Sequence, residues 1–235
     1  MVFVLFGCVL VKSKVTREFE AAQGREKLKR VATKDVVSKF DGSLRPIGEF
    51  YGTDKVHSGF VDVYNKVLPH GEDRGHVQFV LEIGVFFGAS IKMWRDFYPN
   101  ATIIGIDAFK GIEGYKFAGS HQRFSQPRAF LDEWRAGKQG ERIELVEADE
   151  SDDGAMIIAT CRVRALLETS RGTGGGERLG LDVVIDDGSH LQRNQQANLG
   201  RLFPLVSPGG FYVIEDMHAS LITGYDVPPD SPATT

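Results

Sequence analysis

Leu181-Asp182-Val183-Val184-Ile185-Asp186-Asp187-Gly188-Ser189-His190 is a short, β-branched apolar run that breaks off into two carboxylates, a glycine and an imidazole. A second apolar run, Phe211 to Ile214, ends in the same way at Glu215-Asp216. Runs of this length bounded by turn residues read as buried strands. Two such strands lying parallel deliver their acidic ends to one edge of a sheet, the edge at which open α/β sheets bind ligands. Crowded carboxylates repel one another unless a positive charge lies among them, and an all-oxygen set suits a hard cation such as Mg²⁺. A metal site beside a histidine base is therefore the first expectation.

Outward from these runs the chain alternates strand and helix patterns. Strands are predicted at Phe79 to Val85, Thr102 to Asp107, Ile143 to Ala148, Leu181 to Ile185 and Phe211 to Ile214. Amphipathic stretches fill the gaps at Ala89 to Phe97, Pro127 to Ala136, Ala155 to Thr169 and Gln192 to Val206. Strand, helix, strand in repetition implies a mostly parallel sheet covered on both faces with right-handed crossovers. The predicted fold class is α/β, Rossmann-like and doubly wound.

Apolar residues make up 42% of the chain and charged residues 26%, the balance of an ordinary soluble globular protein. The net charge of −4 comes without a basic stripe, which argues against nucleic acid as a partner and for small-molecule chemistry. Cys8 and Cys161 lie far apart without metal-ligand spacing, so neither a disulfide framework nor a zinc cluster is expected, and a reducing, cytoplasmic location fits. The apolar start, Val2 to Val11, is too short to span a bilayer as a helix, which takes about 20 residues. No charged segment precedes it and no small-residue cleavage site follows, so it reads as a buried strand before it reads as a targeting signal.

Residues 1–49 are taken as an N-terminal lead-in and 50–235 as the main domain. Lys12 to Phe40 is charge-rich and weakly amphipathic, and Asp41 to Gly59 is loop-like by its Gly, Pro, Ser and Asp content. A helix is predicted from Phe60 to Leu68, ahead of the break at Pro69 to Gly75. The glycine-rich Gly172 to Gly176 does not follow a strand, as a phosphate-binding loop would, and reads as a connection.

Glu82-Ile83-Gly84-Val85-Phe86-Phe87-Gly88-Ala89-Ser90 stands where the first strand of the alternation turns into a helix. Gly84 permits close backbone approach, and Gly88 with Ala89 permits tight entry into a helix with free N–H groups. The next strand ends at Asp107, where a carboxylate can accept from both hydroxyls of a ribose. The glycine spacing is not G-x-G-x-x-G, and Phe86 and Phe87 stand where a pyrophosphate would need open backbone. A cofactor with a ribose and no pyrophosphate fits better, and S-adenosylmethionine is one. After the third strand, Asp149 can accept from an adenine amino group or anchor its own loop, with Ser151 or Asp152 as a helix cap. Asp186 should face away from Asp187, towards the cofactor or supporting groups, because successive strand side chains alternate.

Together these motifs resemble class I S-adenosylmethionine-dependent methyltransferases, and more narrowly the metal-dependent sugar O-methyltransferases of the mycinamicin and macrocin type. The resemblance is carried by Tyr51-Gly52-Thr53-Asp54-Lys55, by Leu81 to Ser90 with Met93-Trp94-Arg95, by Gly105-Ile106-Asp107, by Ile185 to His190, and by Pro208-Gly209-Gly210 running into Glu215-Asp216-Met217-His218. It implies that Asp187, Glu215 and Asp216 hold Mg²⁺ and that His190 is the general base. It also implies that Glu82, Gly84, Asp107 and Asp149 surround the cofactor, Gly88 opening the helix beside it, while Gly52 to Lys55, with Thr53, closes over it. Three departures stand out: Gly88-Ala89 replaces a glycine pair, Asp149-Glu150 replaces Asp-Gln, and the chain stops soon after Asp216. The C-terminal strand pair that completes such a sheet is therefore expected to be lacking.

The chemistry wants these residue types. A cation beside an aliphatic hydroxyl stabilises the developing alkoxide and aligns it with the methyl group. An imidazole, neutral at physiological pH, accepts the proton. His190 follows Asp187 by three positions with Gly188 between them, so the chain can bend to present both to one oxygen. The expected activity is methyl transfer from S-adenosylmethionine to a hydroxyl of a sugar or glycosylated natural product, with no membrane partner and homo-oligomerisation left open. A binding module or fragment without catalysis is the alternative. An NAD-dependent oxidoreductase is disfavoured by the missing dinucleotide motif.

Overall fold

The computed structural model describes residues 2–5, 8–12, 43–110, 127–137, 142–170 and 180–221. The amphipathic stretch from Lys12 to Phe40 and the glycine run at Gly172 to Gly176 lie outside the described residues, Lys12 itself excepted.

In chain order the strands are β1 (Val2–Leu5), β2 (Cys8–Lys12), β3 (Phe79–Ile83), β4 (Thr102–Asp107), β5 (Ile143–Glu147), β6 (Leu181–Asp186) and β7 (Val206–Ile214). The helices are α1 (Leu44–Tyr51), α2 (Phe60–Val67), α3 (Ala89–Phe97), α4 (Pro127–Arg135), α5 (Asp153–Thr169) and α6 (Gln192–Leu202), with a 3₁₀ turn at Asp54–Val56. One sheet runs in the order β1-β2-β7-β6-β3-β4-β5. Its five strands from β7 to β5 are parallel, as the alternation predicts.

The edge beyond β7 is occupied. β1 and β2 form an antiparallel hairpin, and β2 pairs antiparallel with β7 from Val9↔Ile214 to Lys12↔Phe211. The apolar start thus forms strands, and the N-terminal hairpin covers β7, with β1 as the outer strand. An edge strand otherwise presents unpaired N–H and C=O groups. No helix among the described residues is long and apolar enough to cross a membrane.

The sheet separates two apolar layers. Val80, Val183, Ile185 and Val213 face α1, α2 and α3, whereas Leu81, Ile83, Val184, Tyr212 and Ile214 face α5 and α6. This division follows from strand alternation combined with register: Ile83 pairs with Asp186, and Asp186 with Ile214. Glu82, Asp187 and Glu215 therefore share the face of α1 to α3. Asp186 belongs to the other.

The main departure from the sequence reading is α1, in a stretch that composition assigns to loop. Leu44 and Ile47 are fully buried, each gaining about 1.5–3 kcal/mol over exposure. That exceeds the ~0.5–1 kcal/mol cost of Gly48 inside a helix. Gly48 is there for contact: a Cβ on it would lie 2.9 Å from Val56 Cγ2 and 3.2 Å from Met93 Sδ, so α1 approaches α3 closely. Pro46 sits in the first turn, where its missing N–H has no intrahelical role. Gly52 ends the helix in the left-handed region at φ 71°, returning its N–H to Gly48 and Glu49 carbonyls. Elsewhere the boundaries shift slightly: β7 begins at Val206, and α6 stops at Leu202 before a 3₁₀ turn.

Candidate active site

All five parallel strands end on one edge, where β4, β5, β6 and β7 end at or run into Asp107, Glu147, Asp186 and Glu215. Asp187 donates its N–H to the Ile83 carbonyl at 3.0 Å, and Glu215 donates its N–H to the Asp186 carbonyl at 2.9 Å, so the ladder holds these carboxylates side by side. The expected convergence of Asp187 and Glu215 is present. What lies between them is Lys55, carried in on the 3₁₀ turn that follows α1.

The Lys55 Nζ donates to Glu215 Oε1 at 2.8 Å, lies 3.1 Å from Glu82 Oε1, and forms a short ion pair with Asp187 Oδ2. Tyr64, from α2, donates its hydroxyl to the same Glu215 oxygen. Ser90, at the start of α3, donates to the other oxygen of Glu82 at 2.7 Å. Lys55, Glu82 and Glu215 are all buried. Burial alone would lower the lysine pKa, but Asp187, Glu215 and Glu82 raise it above the ordinary value. One ammonium cannot neutralise three carboxylates. Burial, opposed by Lys55, pushes Glu82 up to about 7. Burial raises Asp187 and Glu215 as well, against the pull of the same lysine.

On the solvent side of this cage stand Asp187, His190 and Asp216, whose ligand atoms lie within 4.8 Å of one another. They form a group able to hold a metal ion among the described residues. His190 Nε2 lies 3.6 Å from Asp216 Oδ2, and its Nδ1 is buried without a hydrogen-bond partner among the described residues. His218 is exposed, 3.7 Å from the other Asp216 oxygen. His190 and Asp216 take positive φ values of 61° and 51°, conformations unusual outside glycine. These turns bend both residues off the strand ends toward each other. An imidazole and two carboxylate donors, partly open to solvent, match the chemistry of a divalent cation site.

The other expected residues fall into place differently. Gly84, at φ 87°, packs against protein: a Cβ there would meet the Asp187 carbonyl oxygen at 2.0 Å, so the glycine lets the loops after β3 and β6 touch. Gly88, at φ 77°, caps α3, as its placement before the helix suggested. Asp107 accepts from the backbone N–H groups of Val85 and Phe86 at 2.7 and 2.9 Å through Oδ2, and from Phe109 N–H through Oδ1. It anchors the glycine loop. Asp149 accepts from the backbone and hydroxyl of Ser151 and pairs with Lys110 at 2.9 Å, which holds its own loop; these partners pull its carboxyl down to about 2. Asp152 is the helix cap, accepting from Ala155 N–H at 3.0 Å. Thr53 is buried beside Lys55.

Asp186 faces away from Asp187, as alternation requires, but it is wholly enclosed against α6. Tyr212 donates to its Oδ2 at 3.1 Å. Burial and the neighbouring Glu150 push its carboxyl up to about 8. The contact with a cofactor expected of it is closed off in this arrangement. Its neighbour Glu150, noted in the sequence only as a departure from Asp-Gln, accepts from Ser189 N–H and from Asn198 Nδ2 at 3.0 Å and braces the Gly188 turn. Tyr64 and Ser90 were also missed, since nothing in a local pattern marks a helix residue that reaches across the sheet edge.

No protein-family model matches the chain. It is 33% identical over 138 residues to the 8-demethyl-8-(2-methoxy-alpha-L-rhamnosyl)-tetracenomycin-C 3'-O-methyltransferase of Streptomyces olivaceus, a match covering 59% of this chain and 25% of that protein. It is 30% identical over 153 residues to the mycinamicin VI 2''-O-methyltransferase of Micromonospora griseorubida, covering 62% of this chain and 29% of the relative. Among solved structures, the MycE methyltransferase of the mycinamycin pathway in complex with Mg, SAH and mycinamycin VI is 26% identical with a TM-score of 0.52, over 80% of this chain and 43% of that one. The chain thus spans about a quarter to a third of the length of the curated relatives it matches. The fold is that of class I S-adenosylmethionine-dependent methyltransferases. The matched stretch resembles the mycinamicin type.

Proposed function

We propose that this chain is an S-adenosylmethionine-dependent O-methyltransferase domain acting on a hydroxyl of a sugar or glycosylated natural product, with Mg²⁺ as its ion and His190 as general base. The observation that carries the reading is the convergence of Asp187, His190 and Asp216 at the ends of β6 and β7. Relatives that methylate sugars of natural products support the acceptor class. S-adenosylmethionine would lie along the ends of β3 to β6, near Gly84, Gly88 and the loops that Asp107 and Asp149 anchor, beneath the segment from Thr53 to Lys55.

Bound by Asp187 and Asp216, with Glu215 implied by the resemblance, Mg²⁺ would supply positive charge beside the acceptor hydroxyl and favour loss of its proton. His190, 3.6 Å from Asp216 and held by its left-handed backbone, would take that proton. S-adenosylmethionine, when bound, would supply the methyl group to the acceptor oxygen, its sulfur keeping the electron pair. The half-open rim lets an acceptor in, and the buried cage behind it holds the carboxylate ends in place.

The test is methyl transfer from S-adenosylmethionine to a panel of sugars and glycosides, with Mg²⁺ and with chelator. His190→Ala should lower turnover by about 10²- to 10⁴-fold. Affinity for S-adenosylhomocysteine by calorimetry should stay within about a factor of three, under 1 kcal/mol. Turnover unaffected by the substitution would remove His190 from the role of base. Cofactor binding with no transfer to any acceptor would favour a module without catalysis.

A further inference from the structure

The resemblance assigns Glu215 to the metal, yet the space it faces already holds a cation. We propose that Lys55 is a resident cation of the Glu82, Asp187 and Glu215 cage, that it withholds Glu215 from the metal, and that the ion is held outside the cage by Asp187 and Asp216 beside His190. This rests on the metal reading above and narrows it.

Three observations carry the proposal. Lys55 donates hydrogen bonds to Asp187 Oδ2 and Glu215 Oε1 and lies 3.1 Å from Glu82 Oε1 as an ion pair, so its one charge faces three carboxylates. Burial then divides the acidic residues in two: the side chains of Lys55, Glu82 and Glu215 are 2%, 0% and 1% exposed, whereas those of Asp187, His190 and Asp216 are 19%, 24% and 31% exposed. A hydrated divalent ion arriving from solvent meets the second group. Finally, Glu215 is held from several sides, with Lys55 and Tyr64 on Oε1 and the Gln195 amide on its backbone carbonyl at 3.0 Å.

Displacing Lys55 would draw a fully buried side chain out from beneath a turn whose Thr53 and Val56 are themselves buried. Placing a divalent ion inside the cage beside the ammonium would set like charges against each other at short range, where low dielectric strengthens repulsion. Asp187 resolves the geometry because it belongs to both groups: its Oδ2 takes Lys55, which leaves its second oxygen to the outer site. Lys55 is thus a positioning residue for Asp187, acting on the metal through that carboxylate.

Mn²⁺ is a paramagnetic stand-in for Mg²⁺, and its binding is read from the loss of the free-ion electron paramagnetic resonance signal, independently of turnover. In the intact protein Asp216→Asn should weaken Mn²⁺ binding about tenfold or more, while Glu215→Gln should leave it within about threefold. Equal loss in the two variants would overturn the proposal while leaving the metal reading intact. Wild type that binds no Mn²⁺ would end the metal reading and the proposal with it. A second measurement on wild type stands even where Glu215→Gln does not fold: reductive methylation of lysines, read by mass spectrometry, with and without Mn²⁺. Lys55 should stay unlabelled in both states, and labelling that appears on adding Mn²⁺ would show it displaced and overturn the proposal.

Discussion

Asp186 and Asp187 are neighbours on one strand end, and the protein handles their charges in opposite ways. Asp187 points to the α1 to α3 side, where a lysine from 132 residues earlier in the chain meets it. Asp186 points to the α5 and α6 side, where it meets a tyrosine hydroxyl and the Glu150 carboxylate and, among the described residues, no cation. A buried carboxylate is tolerated if it is paired or if it keeps its proton. Asp187 follows the first route and Asp186 the second, its carboxyl pushed up to about 8. Among the described residues Asp186 Oδ1 and Asn198 Oδ1 both lack a hydrogen-bond partner, and a carboxyl that keeps its proton would offer such a pocket a donor. The charged side faces the edge where the parallel strands end. The neutral side props it up.

Removing the lysine should abolish the contrast most strongly. Lys55→Met leaves Glu82, Asp187 and Glu215 without their shared cation and should cost about 3–5 kcal/mol in urea unfolding, the usual penalty for stranding a buried charge. A loss under about 1 kcal/mol, the size of a surface pair, would mean that the cage is solvated in solution.

A smaller effect is expected from Tyr64→Phe, which deletes one donor to Glu215 and leaves Lys55 in place. About 1–3 kcal/mol should be lost, with a shape change too small to disturb the core. Stability equal to wild type would mean that the Tyr64 hydroxyl contributes nothing to holding Glu215.

The smallest change at acid pH belongs to Asp186→Asn, whose amide replaces the carboxylic acid as a donor. Its signature is a slope. The folded pKa of about 8 lies above the ordinary 3.8, so between those values the folded chain holds a proton that the unfolded chain releases. The resulting stability is fully present below about pH 3.8 and is lost as pH rises through about 8. The wild-type Tm should therefore fall more steeply than that of Asp186→Asn across this window. Parallel profiles would mean that Asp186 is not protonated in the folded state.

Much of this was legible before any coordinates. From Phe79 onward, apolar runs and amphipathic stretches alternate cleanly enough that the parallel strands and their order along the chain follow from pattern alone. His190 and the acidic residues at 187, 215 and 216 stood out because each cluster terminates an apolar run. The α1 stretch was missed because Pro46, Gly48 and Gly52 outweigh its apolar spacing in any local reading. Gly48 is accounted for only by close packing, where it makes room for Met93 of α3 and for Val56, while Pro46 fits the first turn and Gly52 the C-cap. Asp107 and Asp149 were picked out correctly as polar strand ends, but their partners are backbone and side-chain groups of their own loops.

The sequence by itself determined which residues stand at the strand ends and which face each takes, because side-chain alternation along a strand is a local property of the backbone. Tertiary structure alone decided what each face meets. Lys55 reaches Glu215 across 160 residues, and the N-terminal hairpin covers β7. Neither partner leaves a mark near the residues it joins, since a buried charge and a free sheet edge can be satisfied by any segment the folded chain brings close.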